Sequence, residues 1–325
     1  MKATEIPRRK PRIKSKNKSY TLKDSPFYNL KTKKRLVEIL GRPANELKDI
    51  SSDDNYRIFH LEKHGKKREI QAPTFELDVV QTRIASLLVR LAVPEYLHSG
   101  IKGRSNITNA QVHIGDHPVL TLDIQKFYPS ITKKSIFHFF RGAMKESPDV
   151  AGLLAELCSC YDHIPTGSRL SMPLSFWANH AMYSRIQSLC LRKGVNMSVF
   201  VDDLTFSGIN VNKQFKSNVE RIIKDAGLNV HPKKTKLYSR EKPKLITGAV
   251  VTQNGMNVRN RHQKAIYTLF SEIPECTDDA RLESIQKQLI GRLNAAGQID
   301  PLFKKRAALL KRENLKYNFA APAKT

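Results

Sequence analysis

A carboxylate at the end of an apolar strand is the feature that most restricts how this chain folds. Val119-Leu120-Thr121-Leu122-Asp123-Ile124 reads as a strand, with Leu120, Leu122 and Ile124 on one side and Val119, Thr121 and Asp123 on the other. A carboxylate beside such a strand is costly unless it is paired or binds a cation. Further along, residues 197–201 and 204–207 read as two short strands joined through Asp202-Asp203 at the tip of a tight hairpin. Alone, that pair reads as an ordinary turn, because Asp tolerates turn geometry. Adjacent carboxylates also repel each other, and a divalent metal relieves the repulsion. With Asp123 on a neighbouring strand, the three carboxylates suit two Mg²⁺ ions about 3.5–4 Å apart, the geometry of nucleotidyl transfer.

The charge balance points the same way. Lys and Arg total 56 against 30 Asp and Glu, a formal charge of +26, so a polyanion is the expected partner, nucleic acid or an anionic membrane surface. With 40% apolar residues a packed core is expected, and 325 residues suggest two domains. No run of about 18 apolar residues is present, so no membrane span is expected. The basic N-terminus lacks the apolar stretch of a secretory signal. Cys158, Cys160, Cys190 and Cys276 lack the CxxC spacing of a zinc site and read as reduced thiols of a cytoplasmic protein. His60 with His64, and His113 with His117, lack a second ligand pair.

Residues 1–24 form a basic, proline-punctuated arm that reads as solvated and able to follow phosphates. Helical spacing over residues 36–40 ends at Gly41. Residues 56–61 and 68–71 read as strands around the charged turn His64-Gly65-Lys66-Lys67. Leu77, Val80, Ile84, Leu87, Leu88 and Leu91 predict one amphipathic helix, stopped at Pro94. Residues 173–191 predict a single helix, Val219, Ile222 and Ile223 mark another, and residues 245–252 read as a strand pair or strand-turn. From Arg261 the pattern is helical and basic, and residues 281–325 carry ten Lys or Arg against three acidic residues.

Several of these segments together resemble reverse transcriptases. Phe200-Val201-Asp202-Asp203 looks like the Tyr-x-Asp-Asp box, with Phe for Tyr, and residues 122–131 look like the first palm motif. Arg68-Glu69-Ile70-Gln71-Ala72-Pro73, with Leu77 and Gln81, is similar to the fingers motif. Pro165-Thr166-Gly167-Ser168 with Ser171 resembles the second palm motif, with Thr166 where many members have Gln. Lys233-Lys234-Thr235-Lys236 falls where the fourth lies, and all five boxes occur in the family's order. Asn109-Ala110-Gln111-Val112-His113 matches the Asn-Ala-x-x-His element of retron reverse transcriptases, and Ile246-Thr247-Gly248 resembles their Val-Thr-Gly element.

The resemblance implies an α+β right-hand polymerase: fingers, a palm of antiparallel sheet backed by helices, and a short helical thumb. The boundaries expected are 1–24 for the arm, 25–250 for fingers and palm, and 251–325 for the thumb. It implies that Asp123, Asp202 and Asp203 are catalytic and hold two Mg²⁺ ions with the Ile124 carbonyl. It places Tyr128 as the steric gate against the ribose 2′-hydroxyl. Lys66, Arg68, Thr166, Gly167 and Ser168 are expected around the incoming dNTP, with Lys233 or Lys234 protonating pyrophosphate. Asn109, Ala110, His113, Ile246, Thr247 and Gly248 are the expected recognition elements for RNA and priming.

The implied activity is RNA-directed DNA synthesis on a dedicated structured non-coding RNA serving as template and primer, started from the 2′-hydroxyl of an internal guanosine. A branched multicopy DNA product, a companion effector protein and a role in antiphage defence come with it. With about 75 residues after position 250, no nuclease domain is expected there, since one needs more than about 100. Template trimming would then fall to host RNase H. A group II intron-like or diversity-generating enzyme is the nearest rival, and the Asn-Ala-x-x-His element argues against it. A non-catalytic basic RNA-binding scaffold would fit the charge but leave three aspartates without a purpose.

Overall fold

The computed structural model describes residues 10–63, 65–274 and 276–312, apart from the side chains of Lys63, Lys66 and Arg312. Residues 1–9 of the basic arm lie outside the described residues. The part of the arm that is described is tied down. The Lys14 amide donates to Ser86 Oγ (3.0 Å), and the Arg90 guanidinium donates to the Lys14 carbonyl (2.9 Å). Tyr20 pairs through its backbone with Arg90 and Ala92 (2.9 and 2.8 Å). The arm is therefore docked from Lys14 onward, where composition alone suggested a solvated tail.

Helix α1 (Lys33–Leu40) ends at Gly41, whose φ of 71° supplies the left-handed cap. Helix α2 (Ala44–Ile50) follows. Strands β1 (Tyr56–Lys63) and β2 (Lys66–Pro73) form an antiparallel hairpin in which Leu61 faces Arg68 and Glu62 faces Lys67. Pairing therefore continues further toward the tip than the expected four-residue turn. Helix α3 (Phe75–Leu88) buries Leu77, Val80, Ile84, Leu87 and Leu88. Helix α4 (Asn106–Gln111) starts at a capping box, with Ser105 Oγ accepting from the Ile107 and Thr108 amides.

Strand β3 (Val119–Asp123) leads into α5 (Phe127–Ser130), α6 (Lys133–His138) and α7 (Pro148–Leu157). The helix expected over residues 173–191 is two helices, α8 (Ser171–Ala178) and α9 (His180–Lys193). They part at Asn179 (φ −108°, ψ 11°), whose side-chain amide donates back to the Ser175 carbonyl, the local competition with helical bonding typical of Asn. Strands β4 (Asn196–Phe200) and β5 (Asp203–Ser207) precede helix α10 (Lys213–Asp225). Then come β6 (Lys236–Tyr238), β7 (Lys244–Ile246), β8 (Ala249–Val251) and β9 (Met256–Val258), and helices α11 (Asn260–Glu272), α12 (Asp279–Ala296) and α13 (Pro301–Arg312).

The central sheet is antiparallel, in the order β4-β5-β3-β6. Its register sets Asp123 opposite Asp203, Thr121 opposite Thr205 and Val119 opposite Ser207. Alternation sends these residues to one face and Leu120, Leu122, Leu204 and Phe206 to the other. The apolar face meets helices: Phe206 packs edge-on against Phe215 of α10, centroids 5.5 Å apart. The opposite face is covered at one end. There Val119 packs with Ala110 of α4 and with Ile246, Ala249 and Val251 of the β7-β8-β9 sheet.

That small sheet runs across the boundary expected at 250/251, so the helical C-terminal part begins at Asn260. Its helices have their own core around Leu269, Ile285, Leu289 and Leu293. Among the described residues, no helix is long and apolar enough to cross a membrane. All four cysteines are free thiols, with Cys158, Cys160 and Cys190 buried.

Candidate active site

On the central sheet, the other end of the face that holds Val119 carries the carboxylates. The hairpin between β4 and β5 turns one residue earlier than expected: Val201 and Asp202 are its tip, Phe200 faces Asp203, and Asp203 is the first residue of β5. Val201 has a φ of 59°, a left-handed conformation that a β-branched residue adopts only under constraint. The constraint is visible next door. The Ile124 amide donates to the Asp202 carbonyl (2.9 Å), and the His231 amide donates to the Asp123 carbonyl (2.7 Å). The turn is thus clamped to the end of β3, and Ile124 is buried beside it.

These contacts crowd negative charge. Burial pushes Asp203 up to about 7, with Asp202 and Asp123 adding to the rise. Asp202 is also raised, first by burial and then by Asp123, against the pull of Lys234 and Arg68. Lys234 answers the crowding directly, its Nζ lying 2.7 Å from Asp123 Oδ2. That hydrogen bond holds the Lys234 ammonium above its ordinary range. Lys233 lines the same cavity without an ion pair among the described residues, so the two lysines left equivalent by sequence differ in their partners.

Hard oxygen donors crowded beyond their charge tolerance, with an ammonium already against one of them, fit Mg²⁺. Among the described residues no three His, Cys, Asp or Glu side chains enclose a metal by themselves. Mg²⁺ ordinarily takes one or two carboxylates and completes its shell with water and substrate phosphates. Asp123, Asp202 and Asp203 are the residues that would hold it.

The neighbours fall into two groups. Tyr128 is half-buried, its ring 5.5 Å from Phe127, and burial followed by the Asp202 charge pushes its hydroxyl up to about 12. Arg68 is exposed on β2, and its charge reaches Asp202. Lys66 lies in β2 with its side chain outside the described residues. Tyr128 and Arg68 thus both lie within electrostatic reach of Asp202.

The loop carrying Thr166, Gly167 and Ser168 is fastened to the β1–β2 hairpin and α3. Thr166 Oγ1 donates to the Glu69 carbonyl (2.8 Å) and accepts from the Gln71 amide (3.3 Å). A Cβ on Gly167 would stand 2.7 Å from the Gln71 carbonyl oxygen. Ser168 Oγ meets Gln81 Oε1 (2.6 Å), and the buried Gln81 donates to the Tyr56 hydroxyl (2.6 Å) and the Leu157 carbonyl (2.8 Å).

The recognition elements divide similarly. Asn109, Ala110 and His113 are fully buried. His113 bridges two strands, with Nδ1 2.7 Å from Ser207 Oγ and Nε2 2.7 Å from Ser198 Oγ. Burial pushes it down to about 3, so the ring is neutral, one nitrogen donating and one accepting. Thr247 and Gly248 form the β7–β8 turn with φ of 41° and 95°. The Thr247 hydroxyl donates to the Asn106 carbonyl (2.6 Å), and the Asn106 and Asn109 side-chain amides donate to the Thr247 carbonyl (3.0 Å) and hydroxyl (3.5 Å). Buried Ile246 anchors the turn. Asn106, Ser198 and Ser207 were not singled out as partners. Ser198 and Ser207, polar at inward strand positions, were the signal available for two of them.

A cavity of about 410 Å³ is lined by Asp123, Asp203, Lys233, Lys234, Lys236, Thr247 and Gly248 among others. A concave, lysine-lined cavity beside paired carboxylates suits a polyanionic strand end.

A profile of the family described as Reverse transcriptase (RNA-dependent DNA polymerase) matches residues 60–267. The chain is 33% identical over 177 residues to the Retron Se72 reverse transcriptase of Salmonella heidelberg (strain 579083-10), covering 52% of this chain and 46% of that protein. It is 26% identical over 242 residues to the Retron Ec86 reverse transcriptase of Escherichia coli, covering 73% and 75%. With the Retron Mx65 reverse transcriptase of Myxococcus xanthus it shares 31% identity over 222 residues, covering 61% and 51%. The match thus spans about half the length of the Se72 and Mx65 proteins. In fold, the chain is similar to apo telomerase from Candida Tropicalis, with a TM-score of 0.51 at 12% identity, covering 74% of this chain and 52% of that one.

Proposed function

Because the chain belongs to the reverse transcriptase (RNA-dependent DNA polymerase) family, we propose that it is a retron enzyme that copies a structured non-coding RNA into DNA. The observation that carries the reading is the facing pair Asp123 and Asp203 beside Asp202, with Lys234 against Asp123, in a cavity continuing to the Thr247–Gly248 turn. In this reading the β1–β2 hairpin belongs to the fingers, the central sheet with its helices is the palm, and α11, α12 and α13 form the thumb.

Two Mg²⁺ ions, when bound, supply the charge that activates the 3′-hydroxyl and steadies the pyrophosphate. Asp123, Asp202 and Asp203 would hold them, with the Ile124 carbonyl as a backbone ligand. Arg68 clamps the triphosphate bidentately from the hairpin. The Tyr128 ring walls the site where a ribose 2′-hydroxyl would enter. Lys234, whose Nζ lies 2.7 Å from Asp123 Oδ2, would offer its ammonium to the departing pyrophosphate. The Thr247–Gly248 turn, held by α4, offers exposed backbone in the lining of the cavity for the priming end of the RNA.

The wider reading follows the retron relatives. The non-coding RNA serves as template and primer, synthesis starts at an internal guanosine 2′-hydroxyl, and the branched product acts with a companion effector in antiphage defence in the cytoplasm. Host RNase H removes the template. The test is the double substitution Asp202→Asn with Asp203→Asn. Primer extension should vanish while RNA affinity stays within about twofold, because affinity comes from Lys and Arg on phosphates. Extension at the wild-type rate would overturn the assignment of the carboxylates.

A further inference from the structure

The helical side of the sheet carries a groove that the chemistry above does not use. Helix α9 presents Arg185, Ser188 and Arg192 along one face, and α10 presents Asn218 and Arg221 toward them. Leu189 and Ile222 form the floor of a cavity of about 360 Å³ between the two helices. The groove lies behind the catalytic face. Asp123 and Asp203 occupy one side of the sheet, whereas Phe206, on the other, packs against Phe215 of α10.

Two of the three guanidinium groups in the groove are not spent internally. Arg185 pairs with Asp225 at 2.9 Å. Arg192 and Arg221 have no ion pair or hydrogen bond among the described residues, and both are exposed. Guanidinium groups in an open groove, with a hydroxyl and an amide beside them, match the oxygens of phosphodiesters, which arginine grips in a fork. Arg185 and Arg192 stand about 10 Å apart along the helix axis at 1.5 Å per residue. At about 3.4 Å per nucleotide, that spans about three phosphates of one strand. An open trough of this length suits a backbone better than a small molecule.

We propose that the α9–α10 groove is a second RNA-backbone site, holding a duplex stem of the partner RNA by its phosphates while the priming end occupies the cavity on the other face. The proposal rests on the reverse transcriptase reading for the identity of the polyanion, but its test does not depend on catalysis. The cavity of the full-length protein is first saturated with an unlabelled RNA-template/DNA-primer hybrid. Binding of a fluorescein-labelled blunt RNA duplex of two helical turns is then followed by anisotropy across a salt series.

In R192Q/R221Q the duplex should bind about tenfold more weakly at physiological salt, and the log–log salt slope should fall by about 2. R192K/R221K, which keeps the charge without the fork, should keep the slope and lose only part of the affinity. Extension of the hybrid should be unchanged in both. Wild-type affinity and slope in R192Q/R221Q would overturn the proposal, as would a parallel loss of hybrid extension. Loss of binding to an acidic protein with duplex binding intact would also overturn it, reassigning the groove to a protein partner. Should the wild-type protein fail to extend the hybrid, the functional reading fails while the duplex measurement still decides the groove.

Discussion

Gly167→Ala should loosen the joint between the β1–β2 hairpin and the loop over residues 166–168. The added Cβ would stand 2.7 Å from the Gln71 carbonyl oxygen, 2.9 Å from the Gln71 carbonyl carbon and 2.9 Å from Ile70 Cγ2. Gln71 and Ile70 are paired with Ile58 and Phe59 of β1, so β2 cannot yield without its partner. The loop must therefore back away by about 0.7 Å to reach ordinary van der Waals contact, starting from 2.7 Å. That retreat stretches the 3.3 Å bonds between Thr166 and Gln71 past useful length. Each lost bond costs about 1 kcal/mol, and overpacking without retreat costs about 1–3 kcal/mol, so either route gives a penalty of about 1–3 kcal/mol. Arg68 lies on the same strand, so the functional cost should appear in dNTP binding. Single-turnover incorporation titrated with dNTP should show Kd raised about tenfold, the rate constant at saturation less affected, and Tm lowered by about 2–6 °C. Gly152→Ala is the control, because nothing lies within 4 Å of its Cβ and the residue sits inside α7. A Gly167→Ala protein with wild-type dNTP affinity and Tm would refute the coupling.

Three further outcomes are expected. Glu146 is fully buried, neither carboxylate oxygen has a partner among the described residues, and burial pushes it up to about 9 from 4.5. Between those values the folded protein holds a proton that the unfolded chain releases, so stability falls as pH rises, by up to about 1.4 kcal/mol per pH unit. Glu146→Gln should flatten this decline in urea unfolding between pH 5 and pH 8, and an unchanged slope would count against it. His113→Ala strands the buried Ser198 and Ser207 hydroxyls and should cost about 2–5 kcal/mol in urea unfolding. RNA affinity per folded molecule should stay unchanged if the ring is structural, and a selective loss of RNA binding would show a recognition role. Thr247→Val removes the hydroxyl bonded to Asn106 and should impair initiation on the native RNA more than extension of a supplied annealed primer. Debranching of the wild-type product should free a DNA 5′ end, and a linear product would leave only generic polymerization.

The parts of the fold that could be read in advance are those with a strict period. β3 shows alternation over its length, and α3 keeps a helical stripe, so both appear within a few residues of where they were expected. The three aspartates were legible for the same reason, since a carboxylate interrupts an apolar pattern. The one-residue error at Asp203 arose because Asp is a favoured turn residue and Val is not. Val201 occupies the strained position only because β3 clamps the neighbouring turn, which is a tertiary cause. The short elements α2, α4, α5, β6 and β9 carry too few turns or residues to show a period. The buried roles of His113 and Asn109 were likewise hidden, because hydrogen bonds to Ser198, Ser207 and Thr247 span long stretches of chain.

The pairing of Asp123 with Asp203 also limits how the gene can change in length. Side chains alternate, so a single inserted or deleted codon within β3 that slipped its pairing would turn Leu122 toward the cavity and drive Asp123 into the layer of Leu204 and Phe206. Burying that carboxylate among leucines costs several kcal/mol, and the same slip disperses the charges that metal must meet. Frame-preserving insertions after Ser207 or in residues 239–243 meet no such barrier, since those segments connect strands without setting their register. Length variation should therefore collect in those connections and be absent inside β3 and β5, whatever substitutions the strands themselves accept.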